Sequence, residues 1–292
     1  VTAATIGFVG IGLMGEGFTR RLAEKGYAVV GFDLDESKVR AAAAWGVRPA
    51  KSAAEVGDAA DIILVSVINT AAVEDATIGP RGLCGRGGPA GKICVDLSTT
   101  ELEATKRIAA ALDTCGMAFV DAPVSGGPSA AKAGTLAIMA GGTEAAIARI
   151  GPVMRDLGAM THMGPVGTGQ ATKLVNQAIV LTNFCVLAEA LRLAQAYGVD
   201  AAKVPQALGP GFAGSNMLGP VFPQMLAEDF APRGFARQVL KDLEMLQGAA
   251  RDRHLAMPMA SQALTLYRLL VASGKSELDA AAVVTLFPQG AV

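Results

Sequence analysis

The stretch TIGFVGIGLMGEGFTRRLAEKGYAVVGFD, Thr5–Asp33, decides the fold. Thr5–Val9 is a short apolar run that ends in Gly10-Ile11-Gly12-Leu13-Met14-Gly15. A helical pattern through Phe18, Leu22 and Ala23 follows and stops near Gly26; a second apolar run, Ala28–Phe32, ends in Asp33. The order is strand, GxGxxG, helix, strand, acid. A lone GxGxxG in a chain with 35 glycines carries little weight. Between a strand and a helix the three glycines serve separate ends. One turns the chain, one lets backbone approach a pyrophosphate, and one lets helix pack on strand. The free N–H groups of the helix start then face the phosphates. Asp33 lies 18 residues past Gly15, where an acid accepts hydrogen bonds from the adenine ribose. A carboxylate there repels a 2′-phosphate, and Leu34, Asp35 and Glu36 supply no arginine, so NAD is expected over NADP. The alternative is that Asp33 or Asp35 only caps a helix starting near Glu36.

Outward from this unit the alternation continues. Strands are expected at Asp61–Val67, Lys92–Leu97 and Met117–Ala122, a helix from Glu101 to Cys115, and a short helix opened by a Ser52/Glu55 capping box. Ligands of such sheets lie beyond the carboxyl ends of the strands, so the loops Ser66–Val73, Ser98–Thr100 and Pro123–Gly127 should face the cofactor.

Beyond Gly164 helical patterns take over. GPVGTGQATKLVNQ, Gly164–Gln177, runs from a glycine loop into one long helix reaching about Tyr197, on the order of 40 Å at about 1.5 Å per residue. From Leu174 to Ala188 that helix has no ionisable residue except Cys185, which predicts burial all round. Lys173 stands at its mouth with Asn176 three residues on, on one face. Lysine is seldom buried unpaired, so a role in chemistry competes with simple snorkelling to solvent. Helices are also expected over Asp200–Leu208, Phe235–His254, Pro258–Ser273 and Asp279–Leu286, with Ser215 capping another. The expected architecture is an α/β Rossmann-type N-terminal domain, residues 1–164, and an all-α C-terminal domain, residues 165–292, joined by the long helix.

Composition limits the function classes. At 292 residues with a net charge of −1, the chain has no basic field for nucleic acid. Its 51% hydrophobic and 17% charged residues suit a large core or a wide subunit interface. The best membrane-span candidate, Ala171–Ala188, contains Lys173, Asn176, Gln177 and Asn183, which argues against a span. No basic-then-apolar signal segment opens the sequence. Cys84, Cys94, Cys115 and Cys185 form no CxxC pair and have no neighbouring histidine, so reduced thiols, no metal site and a cytoplasmic location are expected.

Four segments then resemble one family, the β-hydroxyacid dehydrogenases: GFVGIGLMGEGFTRRL (Gly7–Leu22), DLSTT (Asp96–Thr100), DAPVSGGPSAAKAGTLAIMAGG (Asp121–Gly142) and GTGQATKLVNQ (Gly167–Gln177). The triplet Lys241-Asp242-Leu243 fits as well. The family includes 3-hydroxyisobutyrate dehydrogenase, tartronate semialdehyde reductase and the glyoxylate/succinic semialdehyde reductases. The resemblance implies Lys173 as catalytic lysine beside Asn176. It implies Ser125, Gly126 and Gly127 around the substrate carboxylate, and Lys241 reaching substrate and cofactor from the second domain. Gly10, Ile11, Gly12, Leu13, Met14, Asp33, Val67, Ile68, Val73 and Thr99 would line the dinucleotide. Alcohol oxidation needs a hydride acceptor and a base, and a lysine can serve if its pKa falls from about 10.4, as burial or a second ammonium would cause. The implied substrate is a small anionic hydroxy acid or semialdehyde, and the implied assembly a homodimer or homotetramer. Ala280 stands where the family often has an aromatic, so the resemblance does not choose the substrate. Three alternatives stay open: an NADPH-preferring aldehyde-acid reductase, an imine reductase (which carries a different residue at the Lys173 position), and a non-catalytic nucleotide-binding scaffold.

Overall fold

The structure is a computed structural model that describes residues 5–84 and 90–288. The chain divides into two compact units, Val1–Lys173 and Leu174–Val292. The division falls inside the long helix, nine residues past the 164/165 boundary read from the sequence.

The elements of the first unit are β1 (Thr5–Val9), α1 (Leu13–Glu24), β2 (Ala28–Phe32), α2 (Glu36–Ala42), β3 (Arg48–Pro49), α3 (Ala53–Ala59) and β4 (Ile62–Val65). They continue through α4 (Thr70–Ile78), β5 (Ile93–Asp96), α5 (Leu102–Thr114), β6 (Ala118–Asp121), β7 (Val124–Ser125), α6 (Gly127–Ala133), β8 (Leu136–Gly141), α7 (Glu144–Leu157) and β9 (Gly158–Gly164). The strand order is β3-β2-β1-β4-β5-β6-β8-β7, with β9 paired to β8. The first six strands are parallel, the doubly wound order whose switch point lies between β1 and β4. Near-continuous apolar strands such as Ile62–Val65 are what a sheet buried on both faces requires, and all four of those residues are buried. Apolar clusters line both faces, one around Phe8, Phe18, Leu22 and Val95, the other around Ile63, Val65, Ile108 and Phe119.

Strands β3, β7, β8 and β9 go beyond the sequence reading. β3 and β7 have two residues each, too short for a periodic signal. β9, GAMTHMG, is an outer strand with mostly exposed side chains and no apolar alternation.

The long helix is α8 (Thr168–Ala196), and the second unit continues with α9 (Val204–Leu208), α10 (Leu218–Leu226), α11 (Ala236–Asp252) and α12 (Pro258–Ala272). The Asp279–Leu286 segment is a 3-10 helix over Ala280–Leu286, capped by the Asp279 carboxylate. Ser215 Oγ accepts from Met217 N and Leu218 N, so it closes the turn leading into α10, whose capping position is held by Met217. Leu181, Leu191, Phe222, Leu243, Tyr267 and Val283 are among the buried side chains of this unit's core.

Two expectations are corrected. α8 is not buried all round: Val175, Ile179, Val186 and Leu193 are exposed along one stripe. Low charge showed that this face is apolar, and composition carries no information on what covers it. Among the described residues α8 is the one helix long and apolar enough to cross a membrane by length and composition. The cysteines are not all thiols either, because Cys84 and Cys115 form a disulfide while Cys94 and Cys185 are free. The paired residues precede the adjacent parallel strands β5 and β6, so the fold brings together positions that no short motif links.

Candidate active site

The glycine loop is shaped by its neighbours. Gly10 has φ +97°, and a Cβ there would stand 2.1 Å from the Ser66 carbonyl oxygen, so only glycine lets β1 and β4 part this closely. A Cβ on Gly15 would lie 2.0 Å from the Gly10 oxygen, which fixes how near α1 packs to the turn. Gly12 precedes α1 with no side-chain cap, and a Cβ on it would enter open space. The structure also separates the two acids after β2. Asp35 caps α2 by accepting from Ser37 N at 2.9 Å. Asp33 instead accepts from Ile11 N at 2.7 Å and from Asp35 N at 2.8 Å, which ties the end of β2 to the glycine loop. A carboxylate has about four lone-pair sites, so Asp33 retains capacity for ribose hydroxyls.

The other loops lie at the carboxyl ends of the same sheet. Ser98 Oγ accepts from Val67 N at 3.0 Å, joining the β4 and β5 loops. Leu13 and Ile68 are exposed apolar side chains, Ile11 is buried and Met14 is half-buried. Val73, on α4, is fully buried, so its side chain backs the loop from within. Gly126, which caps α6, and Gly127, its first residue, both take positive φ, +131° and +72°.

Lys173 is 8% exposed, and its Nζ donates to the Val124 carbonyl at 2.8 Å. The amine therefore lies inside the first unit beside the Ser125-Gly126-Gly127 loop. A buried polar network holds the first turn of α8, which precedes Lys173. Gln170 Oε1 accepts from Thr100 N at 3.0 Å, and its Nε2 donates to the Ser98 carbonyl at 2.8 Å. Asp96 accepts from Ser98 N at 2.9 Å and from the Thr100 hydroxyl at 2.6 Å. Asp121 accepts from Gly167 N at 2.7 Å and Gln170 N at 2.8 Å. Burial pushes the Asp121 carboxyl up to about 6 from 3.8; the two backbone N–H groups pull the other way, and the Asp96 charge adds to the rise.

In the second unit a relay links the remaining sequence-predicted residues. Asn176 Nδ2 donates to Gln177 Oε1 at 2.8 Å, and Gln177 Nε2 donates to Asp242 Oδ2. The other Asp242 oxygen lies 3.1 Å from Lys241 Nζ. Asn176 and Lys241 are thus connected through Gln177 and Asp242.

Asp96, Asp121, Gln170, Gln177 and Asp242 were not singled out as functional in the sequence reading. A signal existed for two of them: Asp96 and Asp121 each end an apolar strand, and a buried acid needs partners.

The chain is similar to known proteins over nearly its whole length. Residues 5–166 match the family model of the NAD binding domain of 6-phosphogluconate dehydrogenase. Residues 167–287 match that of the NAD-binding part of NADP-dependent 3-hydroxyisobutyrate dehydrogenase. The 2-hydroxy-3-oxopropionate reductase of Escherichia coli strain K12 is 35% identical over 284 residues, 96% of this chain and 95% of that protein. The chain belongs to the β-hydroxyacid dehydrogenase family.

The 2-(hydroxymethyl)glutarate dehydrogenase of Eubacterium barkeri is 34% identical over 287 residues, 97% of this chain and 95% of that protein. The crystal structure of 3-hydroxyisobutyrate dehydrogenase from Salmonella typhimurium has a TM-score of 0.89 over 97% of this chain and 100% of that one, at 27% identity. This dehydrogenase is an NAD(P)-dependent oxidoreductase of hydroxy acids. Its glycine loop fits that cofactor. The open space at Gly12, the uncapped start of α1 and the Asp33 carboxylate match pyrophosphate and ribose in turn.

Proposed function

We propose that the enzyme prefers NAD and interconverts a small hydroxy acid of 3-hydroxyisobutyrate type with its carbonyl form, with Lys173 carrying the alcohol proton. The supporting observation is the buried Lys173 amine, hydrogen-bonded to the carbonyl of Val124, one residue before Ser125-Gly126-Gly127. Those three residues are the proposed seat of the substrate carboxylate, through hydroxyl and backbone N–H donors. NAD held by the glycine loop would supply the hydride acceptor, and its reduced form the hydride donor. Lys173 takes the hydroxyl proton during oxidation and gives it back to the carbonyl oxygen in reduction. Asn176, one helical turn further on, is proposed as a second contact to the reacting group, and Lys241 as a contact to substrate and cofactor.

In this proposal Gly10, Ile11, Gly12, Leu13 and Met14 surround the pyrophosphate, Asp33 the adenine ribose, and Val67, Ile68 and Thr99 shape the remaining cofactor wall, with the buried Val73 supporting it from behind. Asp33 supports NAD: two backbone N–H groups hold its carboxylate at the end of β2, and an acid at that point of such a unit would accept from ribose hydroxyls and repel a 2′-phosphate. One observation favours the alternative, an NADPH-dependent semialdehyde reductase: Lys38 Nζ lies 3.9 Å from both Asp33 and Asp35. The carboxylates outnumber it. Residues 1–164 are proposed to bind the dinucleotide and residues 165–292 to complete the substrate site and form the subunit contact. The exposed stripe Val175, Ile179, Val186 and Leu193 supports a homodimer or homotetramer. A cytoplasmic location stays part of the proposal, although the Cys84–Cys115 disulfide removes the reduced-thiol argument for it.

The test is reduction of NAD and of NADP with a panel of 3-hydroxyisobutyrate, 3-hydroxypropionate, glycerate, L-serine and 4-hydroxybutyrate. The proposal expects turnover of at least one acid, with higher kcat/KM for NAD. A higher value for NADP overturns the cofactor preference, and no turnover of any acid overturns the substrate class.

A further inference from the structure

The start of α8 lacks its own cap. The Gly167 carbonyl accepts from Ala171 N at 2.9 Å, so Gly167 occupies the capping position. It has no side chain to bond the free N–H groups, and its φ of +94° is not the extended conformation of an ordinary cap residue. Asp121, the last residue of β6, does this work from 46 residues away: one carboxylate oxygen accepts from Gly167 N at 2.7 Å. The other accepts from Gln170 N at 2.8 Å. These are the two amides that a capping box serves with two separate side chains. Here a single carboxylate from a neighbouring strand serves both.

Missing side chains make room for this contact. A Cβ on Gly169 would lie 2.4 Å from the Asp121 carbonyl oxygen and 2.5 Å from that of Met139, and one on Gly141 would lie 2.6 Å from Asp121 Oδ1. The same turn is fixed a second time, since the Gln170 side chain holds Thr100 N and the Ser98 carbonyl on either side of Thr99. Lys173 follows Gln170 by three residues, about 4.5 Å along the axis. Its backbone position is therefore set by the turn that Asp121 holds.

We infer that Asp121 is a positioning residue of the hydride-transfer reaction, acting as a cap supplied by the sheet that fixes where α8 presents Lys173 to the Val124–Gly127 loop. The inference rests on the reading of Lys173 as proton carrier. A displacement of about 1 Å can cost about 100-fold in rate, so loss of this anchor acts on turnover more than on binding.

Asp121→Asn keeps one acceptor and turns an NH2 group toward an N–H donor. Asp121→Glu keeps the charge but is one methylene too long to hold both amides in place. Each full-length variant is assayed with NAD and the panel acid of highest turnover, with NAD affinity and unfolding measured alongside, and Lys173→Met as a control. The expected result for both is kcat lower by about 10–100-fold, with KM for the acid and Kd for NAD each within about threefold of wild type. Wild-type kcat in a folded Asp121→Glu or Asp121→Asn variant overturns the inference. So does failure of both to fold, because the carboxylate would then serve stability alone. If Lys173→Met keeps full turnover, it is the proton-carrier reading that fails; if it is inactive while the Asp121 variants are unimpaired, only the present inference fails.

Discussion

Gly169→Ala adds one methyl group to the second residue of α8, where helix propensity alone favours alanine by about 1 kcal/mol. The surroundings reverse the sign. The new Cβ would stand 2.4 Å from the Asp121 carbonyl oxygen, 2.5 Å from the Met139 carbonyl oxygen and 2.8 Å from Asp121 Oδ2. Carbon and oxygen in contact settle at about 3.3 Å or more, so the first turn must retreat by about 0.8–1 Å. Two of the obstacles are strand backbone, which no rotamer change can move. Overpacking of this kind costs about 1–3 kcal/mol. The retreat also stretches the two charge-assisted bonds from Gly167 N and Gln170 N to Asp121, each worth about 1.5–3 kcal/mol when intact. With partial loss of both and the propensity gain subtracted, the variant should be less stable by about 2–4 kcal/mol. Because the same retreat carries Lys173 away from Val124, kcat should fall by about 10–100-fold. Urea unfolding followed by circular dichroism reads the first number, and NADH formation at saturating acid reads the second. An alanine variant within about 0.5 kcal/mol of wild type, or more stable, with unchanged kcat would refute the reasoning.

Three further outcomes are expected. Asp33→Ser removes the carboxylate held by Ile11 N and Asp35 N and should lower the NAD-over-NADP ratio of kcat/KM by about tenfold, about 1.4 kcal/mol; an unchanged ratio contradicts the assignment. Asp121 has a folded-state pKa raised from 3.8 to about 6, so its contribution to stability is full below the unfolded value and is lost as pH rises through about 6. At about 1.4 kcal/mol per unit the loss is about 3 kcal/mol, and Asp121→Asn should gain on wild type by that order between about pH 4 and 7; a pH-independent difference contradicts it. The Cys84–Cys115 pair, separated by 31 residues, should leave only Cys94 and Cys185 reactive in denaturant without reductant, and its reduction should cost about 3–4 kcal/mol. Four reactive thiols would contradict that pairing.

What could be read from the sequence was local. The spacing of Gly10, Gly12, Gly15 and Asp33 belongs to one strand–helix–strand unit, and the structure sets all four around one turn. Lys173 was conspicuous as a charge at the mouth of an apolar helix. What escaped was set by residues distant in sequence. The Asp121 bonds to Gly167 and Gln170 span 46 and 49 residues, and the sequence pointed only to an acid at the end of an apolar strand. Cys84 and Cys115 meet because β5 and β6 are neighbours, which sheet order decides and residue spacing does not. The Gln177–Asp242 bond spans 65 residues and joins two helices that periodicity predicts separately. The exposed stripe of α8 has the same origin: hydropathy describes a face without saying what lies against it.

Lys173→Met tests the proton-carrier assignment most directly, since it removes the amine while keeping a flexible apolar stem of similar length. With NAD and the panel acid of highest turnover, the rate of NADH formation should fall by about 10²–10⁴-fold, while NAD affinity and the unfolding midpoint stay near wild type. A folded, NAD-binding Lys173→Met enzyme that retains more than about a tenth of the wild-type rate would contradict it.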